Sequence, residues 1–263
     1  MDPSTVTIGG DMPVRRIGYG TMQLTGPGHW GPPADTRNAL RILRHAVHDL
    51  GIDHLDTADA YGPHTVEELI RQALHPYPDH LIIATKGGMF RPGPNQWTPC
   101  GRPAYLRQCV ELSLRRLALD RIDLYYLHRI DPTVPLADQL GALDDLRKEG
   151  KIRHLGLSKV TADQIDQARG YTTIAAVQNQ HSVDTDDPAL AYAERHGLAY
   201  VAHQPFRADP TFSGASPDGR AERTEHVLRA LLQRSAALIT IPGTSSHRHL
   251  EENSSMISAG FGS

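Results

Sequence analysis

Asp56, Lys86 and His128 interrupt apolar runs at the ends of predicted strands, as Gln178 does, and with Tyr61 in the loop after Asp56 they supply four groups able to move or hold a proton. Lys86 closes the run Leu81-Ile82-Ile83-Ala84-Thr85-Lys86, whose composition predicts a buried strand. An ammonium there must be paired or neutral, because an isolated buried charge is expensive. Asp56 is the natural counter-ion, and Tyr61 follows five residues later in the loop that ends Tyr61-Gly62. A cation beside a phenol favours the phenolate, which predicts a lowered Tyr61 pKa and a proton donor near neutral pH. His128 would then hydrogen-bond a carbonyl oxygen, and the group as a whole suits carbonyl reduction. Taken singly, Lys86 with Asp56 could be a buried ion pair that completes a core, and His128 an ordinary core histidine. Their grouping carries the functional reading.

These residues need elements that bring them to one rim. Short β-branched and aromatic runs alternate with stretches of helical period almost to the C-terminus. Strands are predicted over Arg16 to Gln23, His54 to Ala58, Leu81 to Lys86, Ile122 to His128, Ile152 to Ser158, Ala175 to Gln180, Ala199 to Pro205 and Leu238 to Thr244. Between them lie amphipathic helices such as Asp35 to Leu50, Ala104 to Leu117 and Leu136 to Glu149. Eight such units in about 250 residues predict an α/β fold of the (β/α)8 TIM-barrel class, residues 1–263 forming one domain. The segment TVTIGGDMPVRRI predicts a β-hairpin turning at Gly9-Gly10-Asp11 that plugs the barrel bottom. The first strand is followed by TGPGHWGPPAD without a GxGxxG, which speaks against a dinucleotide-binding doubly wound sheet. The irregular stretches Met89 to Pro103 and Arg207 to Arg220 each follow a strand and would overhang the C-terminal face, where barrel sites are built.

Composition narrows the function classes. With 263 residues, 27 Lys+Arg against 30 Asp+Glu and a formal charge of −3, the chain lacks the electrostatic footprint of a nucleic-acid binder. A hydrophobic share of 39% can bury a sizeable core. Cys100 and Cys109 are the only cysteines, without metal-clamp or disulfide spacing, and predict a reducing compartment. The opening MDPSTVTIGG has no leader character and no apolar run approaches membrane length, so a cytoplasmic protein is expected.

The segments DTADAYG (56 to 62), IIATKGG (82 to 88), DLYYLHR (123 to 129), GKIRHLGLS (150 to 158), VQNQHS (177 to 182) and IPGTSSHRHLEEN (241 to 253) resemble, in order, the signature blocks of the aldo-keto reductases. The likeness runs from about Arg16 to Asn253. Within that family, GPGHWGPPAD, ATKGG and IPGTSS resemble the short bacterial oxidoreductases related to pyridoxal reductase. The resemblance implies a catalytic tetrad of Asp56, Tyr61, Lys86 and His128, and hydride transfer from NADPH to a small aldehyde or ketone with Tyr61 as proton donor. It implies that Ser158 and Gln178 hold the nicotinamide carboxamide and that Thr244, Ser245, Ser246 and His249 meet the adenosine 2′-phosphate. Glu252 and Asn253 would meet the adenine. A strand end followed by a helix N-terminus is also a sound phosphate site on physical grounds alone.

Several positions depart from the family pattern. Lys159 stands where many members carry Asn, and His203 where an aromatic ring stacks on the nicotinamide. Gln204-Pro205-Phe206-Arg207 replaces the usual turn, with Arg207 an electrostatic substitute. The seventh unit, with only Ala221 to Ser235 reading as helical, is expected to be shortened, and the C-terminus truncated. These departures leave open a barrel repurposed for non-redox acid-base chemistry, and the resemblance adds a cofactor-sensing subunit, against which the intact set of four residues argues. Trp30, Phe90 and Trp97 could line a substrate pocket or pack loops on the rim. Arg129 could recognise an anionic group or pair at the surface. His247 and His249 lack a third partner at metal-ligand spacing, so no metal is expected.

Overall fold

The computed structural model describes residues 4–206 and 217–259. The chain opens with the antiparallel hairpin β1 (Thr5–Ile8) and β2 (Met12–Arg15), which turns through Gly9 and Gly10, both at positive φ. Next come β3 (Tyr19–Gly20), β4 (His54–Asp56) and β5 (Ile82–Gly87), then a small ribbon of β6 (Met89–Phe90) and β7 (Thr98–Pro99). The parallel series continues through β8 (Ile122–Leu127), β9 (Ile152–Ser158), β10 (Ala176–Gln180), β11 (Ala199–His203) and β12 (Leu238–Thr240). Leaving out the β6–β7 ribbon, each strand from β3 to β12 pairs in parallel with the next, in chain order. Parallel bridges at Ile17–Thr240 and Gly20–Gly243 join the last strand to the first and close the ring. The chain therefore has the (β/α)8 barrel that its alternation of strands and helices predicts.

Helices α1 (Thr36–Arg44), α2 (Thr65–Leu74), α3 (Pro103–Leu117), α4 (Leu136–Lys148), α5 (Ala162–Arg169), α6 (Pro188–His196), α7 (Pro217–Gln233) and α8 (His247–Ala259) connect or follow the strands. Their starts follow local chemistry: Asp35 accepts from the Asn38 amide before α1, and Thr161 with Gln164 forms a reciprocal capping box before α5. α1 runs on as a π-helical turn over His45–Asp49.

Inside the ring, Ile82, Ala84, Leu124, Tyr126, Ala176, Val201 and Ile239 pack in one cluster with Ile8, Met12 and Val14 of the hairpin. The hairpin thus plugs the bottom of the barrel, and the chemistry is left to the opposite rim. Two further clusters fill the space between strands and helices.

Some boundaries differ from the sequence expectations. Of Arg16 to Gln23 only Tyr19–Gly20 forms a ladder, with β4; towards β12 there are only single bridges, where the backbones approach so closely that a Cβ on Gly20 would lie 2.7 Å from the Ile241 carbonyl oxygen. The eighth strand likewise stops at Thr240. The stretch expected to be irregular from Met89 to Pro103 contains the β6–β7 ribbon. In the seventh unit the helix spans Pro217–Gln233 and starts four residues before the expected Ala221. Arg207 lies outside the described residues, as does most of the Arg207 to Arg220 stretch.

Candidate active site

β4 and β5 run in register with Asp56 opposite Ala84, so Lys86 projects from the same rim two residues further on. Lys86 is 1% exposed and Asp56 2%. The Lys86 Nζ donates to Asp56 Oδ2 at 2.6 Å, to the Thr57 carbonyl at 2.9 Å and to the Tyr61 hydroxyl at 3.5 Å. Three acceptors match the three protons of the ammonium, which is how a buried lysine stays charged. The second Asp56 oxygen accepts from Gln178 Nε2 at 2.6 Å, and the Asp56 carbonyl accepts from the Thr21 hydroxyl at 2.8 Å. Tyr61 is set by the turn that leads into α2, its amide bonded to the Ala58 carbonyl and its own carbonyl to the Val66 amide. The Tyr61 and His128 rings stand edge to face, 6.0 Å between centroids.

The electrostatics correct one expectation. Burial raises the Tyr61 pKa above the usual tyrosine value, and the nearby Lys86 charge offsets this only in part. The phenol is therefore held as the acid rather than tipped towards phenolate, because desolvation of a fully buried oxyanion outweighs one cation. For Lys86, burial pulls downward but Asp56 and Tyr61 more than compensate, so its pKa is raised. His128 is driven well below the usual histidine value by burial, then by Lys86, Lys159, Arg129 and His203, and its imidazole is neutral.

Above these groups lies a cavity of about 740 Å³. Asp56, Tyr61, His128, Ser158, Gln178 and His203 face it, with Trp97 and Arg129 on the same wall system; Lys86 lies beneath, behind Asp56 and Tyr61. Trp30 and Phe90 are not among its lining residues: Phe90 is half exposed, and Trp30 packs within 5.8 Å of the Arg91 guanidinium. Arg129 is half-buried, and no carboxylate pairs with it among the described residues.

The remaining candidates sit beyond Gly243, which lines the cavity: Thr244, Ser245 and Ser246 on the turn between β12 and α8, and His249, Glu252 and Asn253 within α8. Thr244 Oγ1 accepts from the Ser246 amide at 3.1 Å and the Thr244 carbonyl from the Tyr19 hydroxyl at 2.6 Å. The Ser245 carbonyl accepts from Asn38 at 3.2 Å, and Ser246 Oγ caps the His249 amide at 3.4 Å. Glu252 is engaged by Arg220 at 3.1 Å and Arg248 at 3.5 Å, which ties α7 to α8. Asn253 is buried and its Oδ1 has no hydrogen-bond partner among the described residues.

Sequence reasoning did not foresee that Gln178 grips Asp56, nor that His29, Met22 and Gln23 from the loop after β3 line the cavity. No motif marks them; parallel order alone, which puts β3 beside β4, could have pointed to that loop. Among the described residues no group of three or more His, Cys, Asp or Glu is placed to hold a metal ion, and no helix is long and apolar enough to cross a membrane.

The model of the Aldo/keto reductase family matches residues 16–226, and the chain belongs to that family. It is 44% identical over 252 residues to an uncharacterized oxidoreductase of Schizosaccharomyces pombe, covering 93% of this chain and 82% of the relative. It is 39% identical over 266 residues to pyridoxine 4-dehydrogenase of Escherichia coli, covering 96% and 92%. Among solved structures, the glycerol dehydrogenase of Gluconobacter oxydans superposes with a TM-score of 0.80 at 27% identity, covering 97% of this chain and 90% of that one. An aldo-keto reductase from Klebsiella pneumoniae in complex with NADPH superposes with a TM-score of 0.77 at 25% identity, covering 98% and 90%. The chain is an oxidoreductase of this family, on the family's barrel.

Proposed function

We propose that the protein reduces a small aldehyde or ketone at the expense of NADPH, with residues 1–263 acting as one barrel domain. The observation that carries this reading is the convergence of a protonated Tyr61, a charged Lys86 and a neutral His128 on one cavity rim. The residues fit a nicotinamide dinucleotide. Ser158 and Gln178 offer a hydroxyl and an amide on the cavity wall beside Tyr61, and the His203 ring lies on the same wall. The unpartnered Asn253 Oδ1 and the turn from Thr244 to His249 at the start of α8 suit the adenosine end, as Ser245, Ser246 and Glu252 do in the family pattern. The relative solved with NADPH supports the phosphorylated form of the cofactor.

When bound, the reduced nicotinamide supplies the hydride. The chain's own residues manage the carbonyl oxygen. Tyr61 gives its hydroxyl proton to that oxygen as negative charge develops, and the phenolate left behind is met by the Lys86 ammonium. Asp56 keeps Lys86 charged and aimed, and Gln178 keeps Asp56 aimed in turn. His128, neutral, donates a hydrogen bond to the same oxygen. Trp97 and Arg129 offer the substrate a planar apolar surface and an uncommitted cation, which suits a polar or aromatic carbonyl compound.

The Tyr61→Phe variant tests this. It should lose about 10²–10⁴-fold in kcat, the span expected for a general acid. NADPH affinity, read by the change in its fluorescence on titration, should stay within about twofold, since uniform binding is untouched. Full turnover by Tyr61→Phe would refute the assignment. Absence of NADPH binding at millimolar concentration would instead favour acid-base chemistry without a redox step, and binding without turnover of any reactive aldehyde would favour a cofactor sensor.

A further inference from the structure

Arg91, in the loop after β6, belongs to none of the sequence blocks above, yet its side chain makes four hydrogen bonds at the rim. Its side chain is buried, and no carboxylate pairs with it among the described residues. Instead its Nε donates to the Gln96 carbonyl at 2.7 Å, Nη1 to the carbonyls of Ala60 at 2.6 Å and His29 at 3.1 Å, and Nη2 to that of Gly28 at 3.1 Å. Four carbonyls from the loops after β3, β4 and β6 thus converge on one planar fork. The guanidinium carbon also lies 3.5 Å from the centroid of the Trp97 ring, within cation–π range. Trp97 in turn stands 6.4 Å from the His128 ring and 6.0 Å from the His29 ring.

The geometry points to Arg91 as a positioning residue that sets substrate selectivity: it locks three rim loops together and fixes Trp97 as the platform for a planar carbonyl substrate. Each loop it holds delivers a cavity-lining side chain. The contact at His29 places that residue itself and the one at Gln96 the adjoining Trp97, while the one at Ala60 ties in the loop whose Tyr61 is already set by its own bonds to Ala58 and Val66. A lysine cannot reproduce this, since a point charge on a flexible stem lacks the rigid fork that spans separate acceptors.

The inference rests on the carbonyl-reductase reading, and one of its two readouts does not need turnover. Trp30 and Trp97 are the only tryptophans, so in a Trp30→Phe background Trp97 alone reports. Adding Arg91→Lys or Arg91→Met to that background should raise acrylamide quenching of Trp97 about twofold or more in the absence of substrate. In the steady state, the KM for an aromatic aldehyde such as benzaldehyde should rise about tenfold. The KM for a short aliphatic aldehyde and the KM for NADPH should each change less than about threefold, with kcat within about threefold. Should Arg91→Met not fold, Arg91→Lys, which keeps charge and stem, serves both measurements. Unchanged quenching together with an unchanged aromatic KM overturns the proposal, as does an equal loss on aromatic and aliphatic substrates, the signature of a merely structural role. If quenching changes while no variant or parent reduces any aldehyde, the loop clamp stands, the selectivity claim falls, and it is the reductase reading that has failed.

Discussion

The two sides of the barrel mouth are built differently. On the side of β4, β5 and β10, Asp56 takes Lys86 and Gln178 on its two oxygens at 2.6 Å, with the Thr57 carbonyl and the Tyr61 hydroxyl accepting the other two lysine protons. On the side where β12 closes against β3, contact is made by isolated bridges, and the candidate cofactor residues lie on a turn and the first turns of α8. There, Asn253 Oδ1 remains buried without a partner among the described residues. A group that must hold one geometry through a reaction is placed on rigid strands and bonded to its neighbours, as Asp56 and Lys86 are; a surface that must receive a ligand keeps polar groups to give.

The comparison can be broken most forcefully at Lys86. Lys86→Met should cost about 3–5 kcal/mol of stability, because it leaves Asp56 buried without its partner. It should also lower kcat at least a hundredfold. The double variant Asp56→Asn, Lys86→Met should recover much of the stability and none of the activity. Chemical denaturation and steady-state kinetics read the two effects separately, and a fully active single variant would mean that the strand side is structural only.

On the seam side, Gly243→Ala would place a Cβ 2.8 Å from the Gly20 carbonyl oxygen. Backbone cannot yield as a side-chain tip does, so a loss of about 1–3 kcal/mol is expected. NADPH should bind about five- to tenfold more weakly while kcat at saturation changes less than about threefold. A collapse of kcat at unchanged cofactor affinity would show that seam and tetrad are one unit.

The mildest perturbation lies behind the tetrad. Asp59 is buried, its amide bonded to the Lys86 carbonyl, and burial and then Glu67 push its carboxyl up to about 7. A carboxyl raised in the folded state stabilises fully below its unfolded value of about 3.9, and that stability is lost as pH rises towards 7. Fully buried His54, lowered to about 4 by desolvation, works in the opposite sense, losing stability as pH falls from about 6.5 to 4. In the native chain the two slopes oppose. Asp59→Asn removes the first, so its Tm relative to the native chain should rise between pH 4 and pH 7, by on the order of 5 °C. A pH-independent difference in Tm would place the Asp59 proton elsewhere.

Much of the fold was legible because burial on both faces writes itself as continuous apolar runs, and Ile82–Gly87 or Ile122–Leu127 could hardly be read otherwise. The first strand was overread, since its contacts depend on backbone approach at Gly20 and not on side-chain pattern. Asp56, Lys86 and His128 stood out because a charged or polar group in such a run demands a reason, and Tyr61 because it follows Asp56 in the loop at the same rim. The sign of the Tyr61 shift did not: a neighbouring lysine can be guessed from sequence, but the completeness of burial that outweighs it cannot.

The alternation of strands and helices, the plugging hairpin and the four candidate proton-handling residues are readable along the chain, because they follow from local composition and period. That Gln178 grips Asp56, that Phe90 and Trp30 stay off the cavity while Trp97 lines it, and that Arg91 gathers three loops emerges from the folded arrangement alone. Those outcomes depend on which backbone carbonyls and rings meet across segments distant in the chain, and no local pattern of residue types encodes such a meeting.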